Sequence, residues 1–291
     1  MFLLISKICR FINNGFLEFF LNPLVVNACT FLDSKGNIRH DNWGDDINYF
    51  FIKEIIKRRW ILYAEAPLAR FFHRPNYVII GSVIDMLSTP DSIVWGAGLI
   101  TGNPKNIVQP KKICAVRGPK TRNVLLSRGI DCPEVYGDPA LLLPLYYKPK
   151  VQKRYRIGII PHYADFDILS EKFSNNKEMH FIRISGYEDW KTFINEVNEC
   201  ECIVSTSLHG LIISESYGIP NIWIQNADGI IRDTFKFDDF YASIDKSVKP
   251  LVLNDNITVD YLIQKCNEWQ QGKIELKPLI DACPFEINIF L

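Results

Sequence analysis

Ser205-Thr-Ser-Leu-His209-Gly210 is the stretch of this sequence best equipped for chemistry. The β-branched run Cys202-Ile-Val204 before it reads as a buried strand. Three hydroxyl residues that favour helix N-caps come next, then an apolar run that Gly218 and Pro220 close. His209 therefore stands in or just before a first helical turn. Free N–H groups and the positive end of the helix dipole attract an anion there and disfavour imidazolium. A histidine so placed can lie beside a phosphate and still titrate near neutrality, or it can simply cap its own turn.

Other residues with chemical potential fall at similar positions. Arg117 ends a strand over 113–117, with Gly118 as a cap and Pro119 at the first helical position. It can clamp an anion bidentately or pair with a neighbouring carboxylate such as Asp138. His162 follows a strand that begins at Arg156, and Gly96 follows the strand 92–95, which ends in Trp95. Open parallel sheets hold ligands at that carboxyl end of their strands. Asn42-Trp-Gly44-Asp45 leads into a helix over about 47–59. Asn42 and Asp45 are good caps and Gly44 permits close backbone approach, so this turn is either a cap or a ligand contact. Arg232 and Lys236 belong to a late segment, 232–241, dense in charge and aromatics, which also reads as a solvated surface loop.

The elements that must position these residues alternate strand and helix twice. The chain has 291 residues, 47% of them hydrophobic, enough for two domains with real cores. A polar, basic stretch over 147–154 divides them, giving an N-terminal Rossmann-like domain (1–147), a second (155–257) and a C-terminal helix and tail (258–291) that cross back to the first. Lys+Arg and Asp+Glu are both 33, so charge gives no support for nucleic-acid binding. Eight scattered cysteines show no metal spacing and read as reduced core thiols of a cytosolic protein. The first 26 residues are rich in Phe, Leu and Ile, but charges interrupt every run long enough to span a bilayer. They read as two short amphipathic helices that either pack on the first domain or form an interfacial foot on a membrane.

With these motifs in place, the chain resembles the polysaccharide pyruvyltransferase family from about Asn42 to Tyr241. The resemblance rests on Asn42-Trp-Gly-Asp45, Trp95-Gly-Ala-Gly98, Val116-Arg-Gly118, Gly137-Asp-Pro-Ala140, Ile160-Pro-His162, Ser205-Thr-Ser-Leu-His-Gly210 and Lys236-Phe-Asp-Asp-Phe-Tyr241. It implies two GT-B-like domains, acceptor side first and donor side second. It also implies transfer of pyruvate from phosphoenolpyruvate to two hydroxyls of a sugar, in a glycan or a lipid-linked oligosaccharide, as a ketal. Carried over residue by residue, His209 is catalytic, and Arg117, His162, Ser205, Ser207, Leu208 and Lys236 face the donor. Asn42, Gly44, Asp45, Trp95, Gly96, Asp138 and Arg232 are then cleft or acceptor contacts. Many members have Arg where this chain has Ser207, so the charge must come from Arg117, His162, Lys236 or Arg232. The scheme calls for no metal and no cofactor besides the donor; the cysteines place the enzyme in the cytoplasm, and an N-terminal foot, if it forms, adds peripheral contact with the inner face of the membrane. Two other readings stay open: a GT-B glycosyltransferase using a nucleotide sugar, with Glu215 on the ribose, and a non-catalytic glycan-binding protein.

Overall fold

The computed structural model describes residues 2–56, 58–173, 177–226, 233–254 and 257–288, with side chains from residue 8 and none at 226. The first half contains α1 (Phe2–Leu21), β1 (Leu24–Val26), α2 (Trp43–Ile55), β2 (Trp60–Leu62), α3 (Pro67–Phe71), β3 (Asn76–Val78), α4 (Ile84–Leu87), β4 (Ser92–Trp95), β5 (Lys112–Ala115) and α5 (Pro119–Ser127). The second contains β6 (Tyr155–Ile160), α6 (Phe166–Phe173), β7 (Met179–Phe181), α7 (Trp190–Glu199), β8 (Cys200–Ser205), α8 (Leu208–Ser216), β9 (Asn221–Asn226), α9 (Phe235–Ser243), β10 (Leu251–Leu253), α10 (Val259–Asn267) and α11 (Lys277–Asp281).

Each half forms a five-stranded sheet, ordered β2-β1-β3-β4-β5 and β10-β9-β8-β6-β7, with every pairing parallel. The two orders are the same, because in both the half's first strand lies between its second and its third. Such a sheet reverses its winding beside that first strand, and the crevice there is where doubly wound folds hold ligands. In the first half the reversal falls between β1 and β3, and in the second between β6 and β8. One apolar core then joins the halves: Trp43, Phe51 and Trp95 cluster with Phe193, Leu211 and Trp223.

Several elements depart from the sequence expectation. The N-terminal segment is one continuous helix, because Asn14 donates to the Glu65 carbonyl at 3.0 Å instead of breaking the turn. α2 begins at Trp43 and not near residue 47, with Asn42 as its N-cap. The charge-dense stretch after residue 232 forms α9, whose Phe237, Asp239, Phe240 and Tyr241 are buried. The tail contacts the first half: Trp95 Nε1 donates to the Leu279 carbonyl at 2.8 Å, and Asn288 N donates to Ile55 O at 2.8 Å.

Candidate active site

The two crevices meet. Helix α8 starts beside the β6/β8 reversal, with Ser207 as its N-cap, and carries His209 in its first turn. Helix α2 starts beside the β1/β3 reversal, because Asn48 on α2 exchanges two 3.0 Å hydrogen bonds with the backbone of Ile80, beyond β3. Asn42 Oδ1 accepts Gly44 N–H at 3.1 Å and its Nδ2 donates to Asp45 Oδ2 at 2.7 Å, which holds this N-terminus rigid. The His209 ring lies flush on that turn: a Cβ at Gly44 would fall 2.0 Å from Nδ1. Only glycine leaves this space.

The contact is held from both sides. Trp43 N–H, an orphan donor of the first helical turn, donates to Ile184 O in the second half at 2.6 Å. The Trp43 ring stacks on Phe193 at 4.3 Å and its Nε1 donates to Trp190 O at 3.2 Å. Tyr187 donates to buried Asp46 Oδ2 at 3.0 Å. Nothing in the sequence marked Tyr187, Asp46 or Ile184, since each matters only through the other half.

Burial and cations set the electrostatics. His209 Nε2 is shielded from solvent and has no hydrogen-bond partner among the described residues. Burial, then the charges of Lys236 and Arg117, push the ring's pKa down to about 3, so it is neutral at pH 7. This differs from the expected titration near neutrality: the helix N-terminus was readable, but the desolvation comes from the opposing turn. Asp45 moves the other way, up to about 6, through burial that its Asn42 hydrogen bond and Lys236 only partly offset. Asp138, fully enclosed, is likewise raised to about 6, with Oδ1 accepting Ala140 N–H at 2.9 Å and Oδ2 unpartnered among the described residues.

Arg117 does clamp an anion, but a protein one. Its side chain is fully buried, with Nε and Nη2 3.1 and 3.0 Å from Asp239 Oδ2 on α9. Nη1 donates to Ser82 Oγ and Nη2 to Leu99 O. Asp239 also accepts Thr121 N–H and Oγ1–H, at 2.8 and 2.7 Å, so it fills the N-terminus of α5 as well. The carboxylate partner left open in sequence is Asp239, not Asp138, and every guanidinium nitrogen is committed within the protein. Its charge still reaches His209 through the interior.

The remaining expected residues divide into frame and site. Ser205 Oγ lies 2.8 Å from the Ile160 carbonyl and accepts Ser207 N–H at 2.9 Å, so it ties β8 to β6. Thr206 Oγ1 accepts His162 N–H and donates to Asp165, joining the loops beyond those strands. His162 Nδ1 accepts Ala164 N–H at 3.4 Å, and its ring meets that of Tyr163 at a tilt of 36°, with centroids 4.1 Å apart. Leu208 is core, and Ser207 is buried with no capping bond. Trp95 is core too, and Gly96 has φ of +91° beneath the Pro139 ring, a close approach only glycine allows. Arg232 lies outside the described residues. Asn42, Gly44, Asp45, His209 and Lys236 are therefore the expected residues that converge. Among the described residues no group of three His, Cys, Asp or Glu side chains is placed to hold a metal.

A cavity of about 590 Å³ lies at the opposite end of the second sheet, lined by Asn221, Lys246, Trp269 and Gly272 among others. Glu215 lies buried beside these residues and accepts from Lys246, Trp269, Asn221 and the Gly272 backbone. Three of these donors meet Oε1 and the Gly272 N–H meets Oε2, so the carboxylate is held by the protein's own groups.

Comparison with known proteins places these features in a family. A relative from Acanthamoeba polyphaga mimivirus, uncharacterized protein L143, is 26% identical over 210 residues, 70% of this chain and 71% of its own length. The succinoglycan biosynthesis protein ExoV of Rhizobium meliloti (strain 1021) is 24% identical over 240 residues, 79% of this chain and 70% of its own. The model of the family described as polysaccharide pyruvyl transferase matches residues 25–228, a span that takes in both sheet reversals and His209. The chain belongs to the polysaccharide pyruvyl transferase family.

Proposed function

We propose that this protein transfers pyruvate from phosphoenolpyruvate to two hydroxyls of a sugar, forming a pyruvate ketal on a glycan or lipid-linked oligosaccharide. The observation that carries the reading is an unpartnered imidazole nitrogen at a helix N-terminus, shielded from water, in the field of two cations. Such a place favours an anion, and phosphoenolpyruvate brings a carboxylate and a phosphate. The family supports polysaccharide pyruvylation in general. The placing of His209 and the Asn42–Asp45 turn on opposite halves is compatible with a GT-B-like division, for which we propose the donor on the second half and the acceptor on the first.

The chemistry needs one proton delivered and two removed. Protonation of the enol methylene makes C2 electrophilic. One sugar hydroxyl adds there and gives up its proton, phosphate departs with the C2–O bond electrons, and the second hydroxyl closes the ring and gives up its own. Asp45 and His209 have pKa values pushed apart, which suits an acid and a base in one site. Neutral His209 accepts a hydroxyl proton. An incoming anion offsets Lys236 and raises both pKa values, which lets His209 hold the proton it has taken while Asp45 delivers its own to the enol methylene; the second hydroxyl proton leaves on the phosphate. Lys236, partly buried at the start of α9, provides the charge that the Ser207 position lacks.

Glu215 argues against the nucleotide-sugar alternative, because its carboxylate is occupied by protein donors. Thermal-shift measurement separates the readings. Phosphoenolpyruvate at about 100 times its Kd should add roughly 2.7 kcal/mol of stability, several degrees in Tm. A shift with UDP- or GDP-sugars and none with phosphoenolpyruvate would overturn the proposal. A shift with phosphoenolpyruvate but no turnover on any glycan would support the non-catalytic reading.

A further inference from the structure

Helix α1 is mounted inside out. Three of its polar side chains, Arg10, Asn14 and Glu18, face the protein: Arg10 donates to both oxygens of Glu65 at 2.7 and 2.8 Å and to the Asp33 carbonyl, and Asn14 donates to the Glu65 carbonyl. Glu18, only 1% exposed, accepts Leu68 and Ala69 N–H at 2.9 and 2.6 Å and so caps α3. These bonds fix the rotation of the helix about its axis. The opposite face then points outward, and apart from Asn13 at its margin it is apolar: Ile8, Ile12, Phe16, Phe19 and Phe20 are all exposed, the last three by 60–72%. The adjacent α3 ends in Phe71 and Phe72, exposed by 75% and 59%. A helix in water turns its polar side to solvent. Specific polar bonds that enforce the reverse mean that the outward face has a non-aqueous neighbour.

Charge identifies that neighbour. The chain as a whole is neutral, yet residues 53–74 carry six Lys or Arg against two Glu, one of which, Glu65, is neutralised by Arg10. Arg58 donates to the Asn22 carbonyl at the end of α1, and Arg74 to the Glu18 carbonyl, so the excess is gathered at this helix. Two cavities flank its C-terminal half. One, about 450 Å³, is lined by Leu17, Leu21, Lys53, Arg58 and Arg59; the other, about 480 Å³, by Phe19, Asn22, Arg58, Arg74 and Tyr77. Each sets apolar walls beside guanidinium groups, the pairing that an anionic lipid presents in mirror image. Among the described residues no helix is long and apolar enough to cross a membrane, which fits a helix lying along the surface.

We propose that α1 and α3 form a docking surface for a lipid bilayer carrying anionic headgroups, with the phenylalanines in the acyl boundary and the arginines at the phosphates. This stands independently of the reaction proposed above. The test is sedimentation of the intact protein with vesicles of phosphatidylcholine alone and of phosphatidylcholine mixed with phosphatidylglycerol. Binding should favour the mixed vesicles and weaken in high salt. The Phe16→Ser, Phe19→Ser, Phe20→Ser variant should lose at least tenfold in vesicle affinity. Because these rings are exposed, its circular dichroism and melting should stay as in the parent, and Phe71→Ser, Phe72→Ser gives a second, independent reading of the same loss. Arg58→Gln with Arg59→Gln and Arg70→Gln should erase the preference for phosphatidylglycerol. Absence of vesicle binding by the parent protein, or unchanged binding by both phenylalanine variants, overturns the proposal. So does a dimer in light scattering that the phenylalanine variants dissolve without altered vesicle binding, which would make a second copy the occupant.

Discussion

Gly44→Ala is the most informative single substitution. The added Cβ would lie 2.0 Å from His209 Nδ1, 2.5 Å from Cγ and 2.8 Å from Cε1, roughly 1.5 Å short of ordinary contact at the nearest atom. The methyl is built on a helix held by Asn42 and by the Trp43–Ile184 bond, so the imidazole must give way. A misplacement of about 1 Å at a reacting group costs on the order of 10²-fold in rate. Overpacking costs about 1–3 kcal/mol, and replacing glycine in a helix returns up to about 1, so Tm should fall only a few degrees. Turnover is read as phosphate release from phosphoenolpyruvate with a sugar acceptor, beside a melting curve. If the loss runs through the ring, Gly44→Ala should cost almost nothing further in turnover on a His209→Ala background. Near-native turnover in folded Gly44→Ala, or full additivity in the double variant, would refute the claim that this turn positions His209.

Three further outcomes follow from the geometry. Asp239→Asn leaves the buried Arg117 charge half-compensated and should cost about 3–5 kcal/mol, on the order of 10 °C in Tm; a change within a degree or two would show the pair to be energetically idle. Donor binding at pH 6 should take up protons, because an incoming anion raises the pKa of His209 from about 3 and of Asp45 from about 6 together; calorimetry in buffers of different ionisation enthalpy reads this, and proton release would contradict it. Without ligand, the depressed His209 pKa removes stability as pH falls below about 6.5, where the unfolded chain binds the proton and the folded one does not. The raised Asp45 pKa works oppositely between about 6 and 4, so His209→Gln should flatten the acid side of a Tm-against-pH curve, and an unchanged curve would count against the shift.

What the sequence revealed and what it hid divide along physical lines. The strands around His209 and Arg117 were legible as β-branched runs, and the caps at Asn42, Ser207 and Gly118 as short polar or glycine residues before apolar ones. The three-residue strands β1, β2 and β10 were not, since no branched aliphatic residue adjoins them to extend the run, whereas β3 and β7, equally short, continue into isoleucine beyond their ends. Helix α9 was concealed because its charge suggested solvent, while Asp239 is buried against α5 across 118 residues of sequence. The same separation hid the Asp46–Tyr187 bond. The N-terminal segment gave up its apolar character but not its orientation, which depends on where Glu65, Leu68 and Ala69 stand.

The central claim, pyruvyl transfer through His209, is tested most directly by following labelled carbon. Phosphoenolpyruvate labelled in its enolpyruvyl carbons is incubated with the protein and a panel of oligosaccharides, and products are read by mass and by the ketal methyl resonance. One labelled ketal should appear for each phosphate released, with both reduced about 10²-fold or more by His209→Gln. Phosphate release without label in the sugar, undiminished transfer by His209→Gln, or glycosyl transfer from a nucleotide sugar in place of ketal formation would contradict it.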